Sequence, residues 1–228
     1  LKLGHEPDAA YVYPWWSTGG WSPFVYKRLL NSDENLIPKY PSMAKEWSVS
    51  DDEMVYTLTL RDDMKWHDGE PITMEDVKWS IETAMLGSRI HSIFKVSFQN
   101  ILGAQEYING EADSVTGLKM LDDDTLEITM AQPTAFMLRG LAQFAPLPKH
   151  LLENEDPTKL NLSEHWQMPV GSGPFKMVER EPGDYTILEA FDDYFLGKPK
   201  IERVVFRNFT SIVSATEAGE LDFSHTVD

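Results

Sequence analysis

Cysteine is absent from the 228 residues. That excludes a disulfide framework, a thiolate nucleophile and any cysteine-based zinc site. It is compatible with a protein working outside the cytoplasm, where stray thiols oxidise. Basic side chains are scarce: 20 face 37 acidic ones, for a formal charge of -17. Nucleic acid and anionic bilayer surfaces are themselves polyanions and are poor partners for such a chain. The excess charge reads as a solubility device. No apolar run approaches the ~20 residues needed to cross a bilayer. Residues 1–8 lack a charged region followed by an apolar one, so any secretory leader is expected upstream of Leu1.

Signatures of catalysis are also missing. The six histidines are His5, His67, His91, His150, His165 and His225, and no two stand at metal-ligand spacing. Gly171-Ser172-Gly173 lacks the spacing of a nucleophile elbow, and Pro174 rules out the strand-to-helix turn that an elbow needs. No phosphate-cradling glycine loop occurs. Carboxylate pairs are numerous, as chance dictates in an acidic chain. The expectation is a protein with no catalytic residue, no metal and no cofactor.

What is present is the patterning of a mixed α/β domain. With 42% hydrophobic residues, the chain can bury the core of one large domain or two small ones. Residues 4–22 are rich in aromatic and small residues without helical or strand period, and read as a loop. A short helix is predicted over 24–30, with Ser22 as N-cap and Pro23 at its first position. Tyr56, Leu58 and Leu60 alternate with threonines as a half-buried strand. Trp66-His67-Asp68-Gly69 is turn chemistry, and Trp66 reads as an anchor for that turn. Thr73 to Asp76 resembles a capping box, opening a helix whose apolar face is Val77, Ile81, Ala84 and Met85 and which stops at Gly87. A second helix is predicted through Phe98, Ile101, Leu102 and Ile108. A hairpin is predicted from 118–120 and 126–130 around the Asp122-Asp123-Asp124 tip, which lacks the spacing of a calcium loop. Strands follow at 175–178, 185–190 and 201–206, then a helix at 210–218 capped by Gly219, and a last strand from Leu221.

The aromatic opening is the feature most suited to binding. Trp15, Trp16 and Trp21 offer flat surfaces of the kind found in peptide and sugar sites. The alternative is that two of the three are core residues.

One run carries a family resemblance. Met43-Ala44-Lys45-Glu46-Trp47-Ser48-Val49-Ser50-Asp51-Asp52 continues through Tyr56 to Arg61 and then Met64-Lys65-Trp66-His67-Asp68-Gly69-Glu70-Pro71, ending at Val77. Val170-Gly171-Ser172-Gly173-Pro174-Phe175, Pro182-Gly183-Asp184-Tyr185, Asp193-Tyr194-Phe195-Leu196-Gly197-Lys198-Pro199 and Gly219-Glu220-Leu221-Asp222-Phe223 extend it in order. The set closely resembles the family 5 bacterial extracellular solute-binding proteins, the oligopeptide, dipeptide and nickel receptors of ABC importers. The resemblance implies a periplasmic-binding-protein type II-like fold, here the first lobe of a two-lobed clamshell. Residues 1–42 with 170–228 would form the main mixed-sheet part, and 43–169 an inserted α+β subdomain. The second lobe would be absent and the chain a fragment. It further implies a monomeric receptor, in the periplasm or held as a lipoprotein on the outer face of the membrane, that closes on a peptide and delivers it to the permease subunits. Ligand contacts are expected first from Ser17, Thr18, Gly19, Gly20, Trp21 and Ser22, second from Ser172 and Gly173, and then from Tyr107 and Phe136. Rival readings are an oligosaccharide or nickel-chelate receptor, an extracellular hydrolase, and a half-clamshell that binds nothing alone.

Overall fold

The computed structural model describes residues 2–5, 13–16, 20–209 and 212–224. In chain order the elements are β1 (Lys2–His5), α1 (Ser22–Val25), β2 (Leu30–Ser32), β3 (Pro38–Pro41), β4 (Ala44–Val49), β5 (Val55–Leu60), α2 (Met74–Leu86), α3 (Ser92–Phe98) and α4 (Ala104–Ile108). Then come β6 (Leu118–Met120), β7 (Thr125–Thr129), α5 (Met137–Gln143), α6 (Lys149–Leu152), β8 (Phe175–Glu181), β9 (Tyr185–Ala190), β10 (Arg203–Asn208), α7 (Ile212–Glu217) and β11 (Phe223–Ser224).

The chain forms two compact units. The first comprises Leu1–Tyr26, Lys65–Glu70 and Ser163–Asp228, and the second Lys27–Met64 and Pro71–Leu162. The expected division at 42/43 and 169/170 differs from these units. Residues 27–42 join the second because the Leu29 N–H donates to the Phe144 carbonyl and the Ala44 N–H donates to the Leu29 carbonyl. Residues 65–70 join the first through bonds to residues 171–173 described below.

The first unit is built on a five-stranded mixed sheet in the order β11-β1-β10-β9-β8. β1 lies parallel to β10 and β11, while β10, β9 and β8 form an antiparallel meander. Alternation buries Val204 and Phe206 on β10, Leu188 on β9, and Phe175 and Met177 on β8. Phe24 of α1 sets its ring against Phe175 at 5.8 Å and Phe206 at 5.4 Å. The β8–β9 turn uses Gly183 at φ +85, a conformation closed to most residues. β1 was hidden in the residues read as an opening loop: Gly4 and His5 belong to it.

The second unit has an antiparallel sheet in the order β4-β5-β7-β6. Tyr56, Leu58 and Leu60 alternate inward as predicted, and Leu126 and Ile128 pair with them from β7. The hairpin around Asp122-Asp123-Asp124 is present as β6–β7. Phe94, Phe98 and Phe144 form a tight aromatic cluster with centroids 5.0–6.1 Å apart.

The capping box on α2 is present. The buried Asp76 carboxylate accepts from the Thr73 N–H (2.9 Å) and Thr73 Oγ1 (3.1 Å) with one oxygen, and from the Lys149 N–H (3.0 Å) with the other. Asp76 therefore starts α2 and also fixes the start of α6. Asp76→Ala is expected to cost about 2–3 kcal/mol in urea unfolding, combining a lost cap with buried donors left unpaired. A cost below ~0.5 kcal/mol would show that the helix needs neither contact.

Three predicted elements differ. The helix expected over 24–30 is only α1, with Trp21 rather than Ser22 at the N-cap. It stops because Tyr26 turns extended and the Val25 carbonyl is taken by Ser172 and Gly173. The helix expected through 98–108 is two, α3 and α4, broken where Gly103 adopts φ +80. A Cβ there would meet Thr116, so the break is held by packing as well as by backbone. The strand expected at 201–206 is shifted to Arg203–Asn208.

Candidate functional site

The aromatic opening is divided by burial. Tyr13 is 2% exposed, Trp15 0% and Trp21 4%, whereas Trp16 is 44% exposed. Tyr13 sits against Trp15 at 5.5 Å and edge-on to Trp166 at 5.1 Å, inside the first unit. Two of the three tryptophans are thus covered, as the alternative reading held, because rings this large are most stable when enclosed. Trp21 and Ser22, expected to face a ligand, are buried by the chain itself. Gly20 is partly exposed, and Ser17, Thr18 and Gly19 lie outside the described residues.

The second expected contact, around Ser172 and Gly173, is committed to the fold. The Ser172 and Gly173 N–H groups both donate to the Val25 carbonyl, at 3.0 and 2.8 Å. Ser172 is 1% exposed. These amides are spent on α1 and are not open to a ligand. Tyr107, in α4, and Phe136, ahead of α5, are on separate elements of the second unit. Burial, then the Glu82 charge, raises the Tyr107 pKa. Phe136 is 43% exposed.

The constellation that sequence reasoning did not assemble centres on His67. Its backbone N–H donates to the Gly171 carbonyl (3.0 Å), and the Gly171 N–H donates back to its Nδ1 (3.2 Å). Nδ1 is thereby an acceptor, so Nε2 carries the proton and donates to the Gly173 carbonyl at 3.0 Å. The ring also lies edge-on to Phe191 at 5.0 Å. Burial is the chief cause pushing the imidazole down to about 4; the Gly173 bond opposes it, nearby Lys176 assists and Asp68 opposes. His67 is a neutral three-point clamp on the Gly171–Gly173 segment, holding a turn 104 residues earlier in the chain. Trp66, fully buried, anchors that turn as the sequence suggested.

Beside Phe191 a hollow of about 520 Å³ opens in the first unit, its rim including Lys176, Glu189, Asp193, Lys198 and Arg203. Two of its carboxylates are in ion pairs: Asp192 with Lys198 of the same rim at 2.9 Å, and Asp193 with Lys65 at 2.8 Å. Among the described residues no group of His, Cys, Asp and Glu is arranged to hold a metal ion. No described helix is long and apolar enough to cross a membrane.

Comparison with known proteins completes the picture. Oligopeptide-binding protein AppA of Bacillus subtilis is 30% identical over 203 residues, covering 87% of this chain and 35% of its own. The dipeptide-binding protein of Escherichia coli is 29% identical over 196 residues, covering 80% and 35%. A Brucella ovis protein named for ABC-transporter peptide binding is 29% identical over 215 residues, covering 92% and 38%. The chain thus spans less than two fifths of the length of these relatives. Among solved structures, NikZ of Campylobacter jejuni, in complex with Ni(L-His), is 30% identical with TM-score 0.76 over 98% of this chain and 42% of that one. Bacillus AppA with a nonapeptide, at 24% identity and TM-score 0.82, shares the fold over 99% of this chain and 44% of that one. The mixed α/β architecture is that of the type II periplasmic binding proteins, as expected. The model of bacterial extracellular solute-binding proteins, family 5 middle region, matches residues 39–228, and the chain belongs to that family.

Proposed function

We propose that the chain is the first-lobe portion of a receptor that captures peptides outside the cytoplasmic membrane and hands them to the permease subunits of an ABC importer. The observation that carries this reading is the family match over 39–228, laid on the mixed sheet of the first unit. Relatives named for oligopeptide and dipeptide binding support peptides as the ligand class. The mechanism needs no covalent step and the protein is not an enzyme. Ligand enters between two lobes, gains most of its contacts in the closed form and so shifts the population toward closure. The receptor acts as a monomer, free in the periplasm or tethered as a lipoprotein. Its functional parts in the first lobe are the two compact units, Leu1–Tyr26 with Lys65–Glu70 and Ser163–Asp228, and Lys27–Met64 with Pro71–Leu162. The contribution of the opening stretch to a ligand is proposed to fall to residues 17–20, since Trp21 and Ser22 are buried. Tyr107 and Phe136 are the contacts proposed from the second unit.

A second reading, a metal-chelate receptor, draws on the likeness to NikZ at 30% identity. Thermal unfolding separates the two, because a ligand that binds only the folded state raises Tm in step with RT ln(1 + [L]/Kd). A mixture of di- to nonapeptides is expected to raise Tm by several degrees. A shift with nickel-histidine and none with peptides would replace the peptide reading. A shift with oligosaccharides alone would keep the transport role and change the cargo.

A further inference from the structure

None of the residues proposed above to contact a transported peptide lines the hollow beside Phe191. Its walls come from β8, β9 and β10 and from the segment 190–193. Backbone bonds fix that segment: the Phe191 N–H donates to the Pro174 carbonyl (2.9 Å) and the Ala190 N–H to the Glu202 carbonyl (2.8 Å). The space is therefore built by the sheet and is not a gap between loose loops. At about 520 Å³ it is of the size of small-molecule sites, which run to roughly 300–1,000 Å³.

The charges that line it fall into two sets. Asp192 is neutralised by Lys198, and Asp193 by Lys65. Lys176 and Glu189 are different. They are Cα partners in the β8–β9 register, so their side chains leave the same face of the sheet. Opposite charges placed in this way ordinarily pair. Yet among the described residues neither the Lys176 ammonium nor the Glu189 carboxylate makes an ion pair or a hydrogen bond. Lys176 is half-buried, and its charge reaches the His67 imidazole, which packs edge-on to Phe191 at 5.0 Å. One cation and one anion thus line a single hollow, and neither is spent on the fold.

The order of charges selects the ligand. Arg203 stands opposite Glu189 from β10, so this face reads cation, carboxylate, cation across three strands. A lone anion drawn to the cations meets Glu189 between them. A lone cation drawn to Glu189 meets Lys176 and Arg203. A molecule that carries both charges is matched at each end. Phe191, 8% exposed, and Ala190 add a small apolar floor for its carbon skeleton.

We propose that this hollow is a binding site for a small zwitterion of the amino-acid class, its carboxylate received by Lys176 and its ammonium by Glu189, with Phe191 beneath its side chain. Charge-assisted hydrogen bonds of about 2.7–2.9 Å at each end take the place of the ion pair that the two strands leave open. The site gives the chain a ligand besides the cargo proposed above.

The test follows the backbone amides of the full chain by NMR while L-alanine is titrated at constant ionic strength. Saturable shifts are expected at residues 176 and 189–193. N-acetyl-L-alanine, which lacks the ammonium, and L-alaninamide, which lacks the carboxylate, are each expected to bind at least tenfold more weakly. Lys176→Gln and Glu189→Gln are each expected to weaken L-alanine binding tenfold or more, in proteins whose remaining amide spectrum is unchanged. Equal binding of N-acetyl-L-alanine overturns the proposal, because the site then takes any carboxylate. Shifts confined to residues outside the hollow, shifts that neither substitution weakens, or no saturable shift at 176 and 189–193 overturn it as well. Peptide binding is read with peptides and at other residues, so the receptor reading stands or falls separately.

Discussion

Gly171→Ala is expected to destabilise the chain by about 3 kcal/mol or more, and Gly173→Ala by a similar amount. A Cβ on Gly171 would lie 2.9 Å from the Val25 carbonyl carbon, 2.8 Å from Val25 Cγ1 and closer still to the Val25 oxygen. One on Gly173 would lie 2.7 Å from the same carbonyl carbon and closer to the Phe24 oxygen. Neither obstacle is a flexible side-chain end that can swing aside. Both are backbone of α1, and the Val25 oxygen is the acceptor for Ser172 and Gly173. Moving α1 to make room would break those two bonds and pull Phe24 from Phe175 and Phe206. Overpacking thus adds to lost hydrogen bonds, against a total stability of about 5–15 kcal/mol. Urea denaturation checks it: a midpoint within ~0.5 kcal/mol of wild type at unchanged slope would mean that α1 can give way freely.

These glycines also mark what the sequence made legible. Local signals served well where one short segment decides its own structure. Thr73 and Asp76 are three residues apart, and their box forms as written. The period-2 run from Tyr56 to Leu60 and the aspartate-rich hairpin tip likewise carry their own instructions. Failures came where a distant partner decides. β1 is a strand because β10 and β11 flank it in parallel from two hundred residues away, and four residues containing a glycine give no period to read. α1 ends early because Ser172 and Gly173 claim the Val25 carbonyl, a fact written nowhere in residues 24–30. The tryptophans show the same limit. Nothing in the spacing of Trp15, Trp16 and Trp21 tells which ring is covered, and Trp21, expected as an open surface, is a buried side chain. His67 and Gly171 both stand in the family motifs, yet only the fold joins them.

Lowering the pH from 7 to 4 is expected to withdraw roughly 2–3 kcal/mol of stability through His67 alone. In the unfolded chain the imidazole takes up its proton near its ordinary 6.5, whereas in the fold it is held down to about 4, chiefly by burial. Between those values the unfolded state binds more protons, so stability rises with pH across the window and is complete above about 6.5. The geometry gives the same sign independently. Protonation would place an Nδ1–H directly against the Gly171 N–H that now donates to it, turning a hydrogen bond into two facing donors. The charges nearest the ring are Lys176, which disfavours the proton, and Asp68, which favours it. Other titrating groups overlie this window, so the decisive quantity is a difference. His67→Gln keeps a side-chain carbonyl acceptor and an amide donor but cannot titrate. Urea unfolding of both proteins from pH 4 to 7.5 is expected to show a gap in favour of wild type at pH 7.5 that narrows steadily toward pH 4. Parallel stability curves would mean that His67 takes up its proton at the same pH folded and unfolded, and that the clamp closes without regard to its charge.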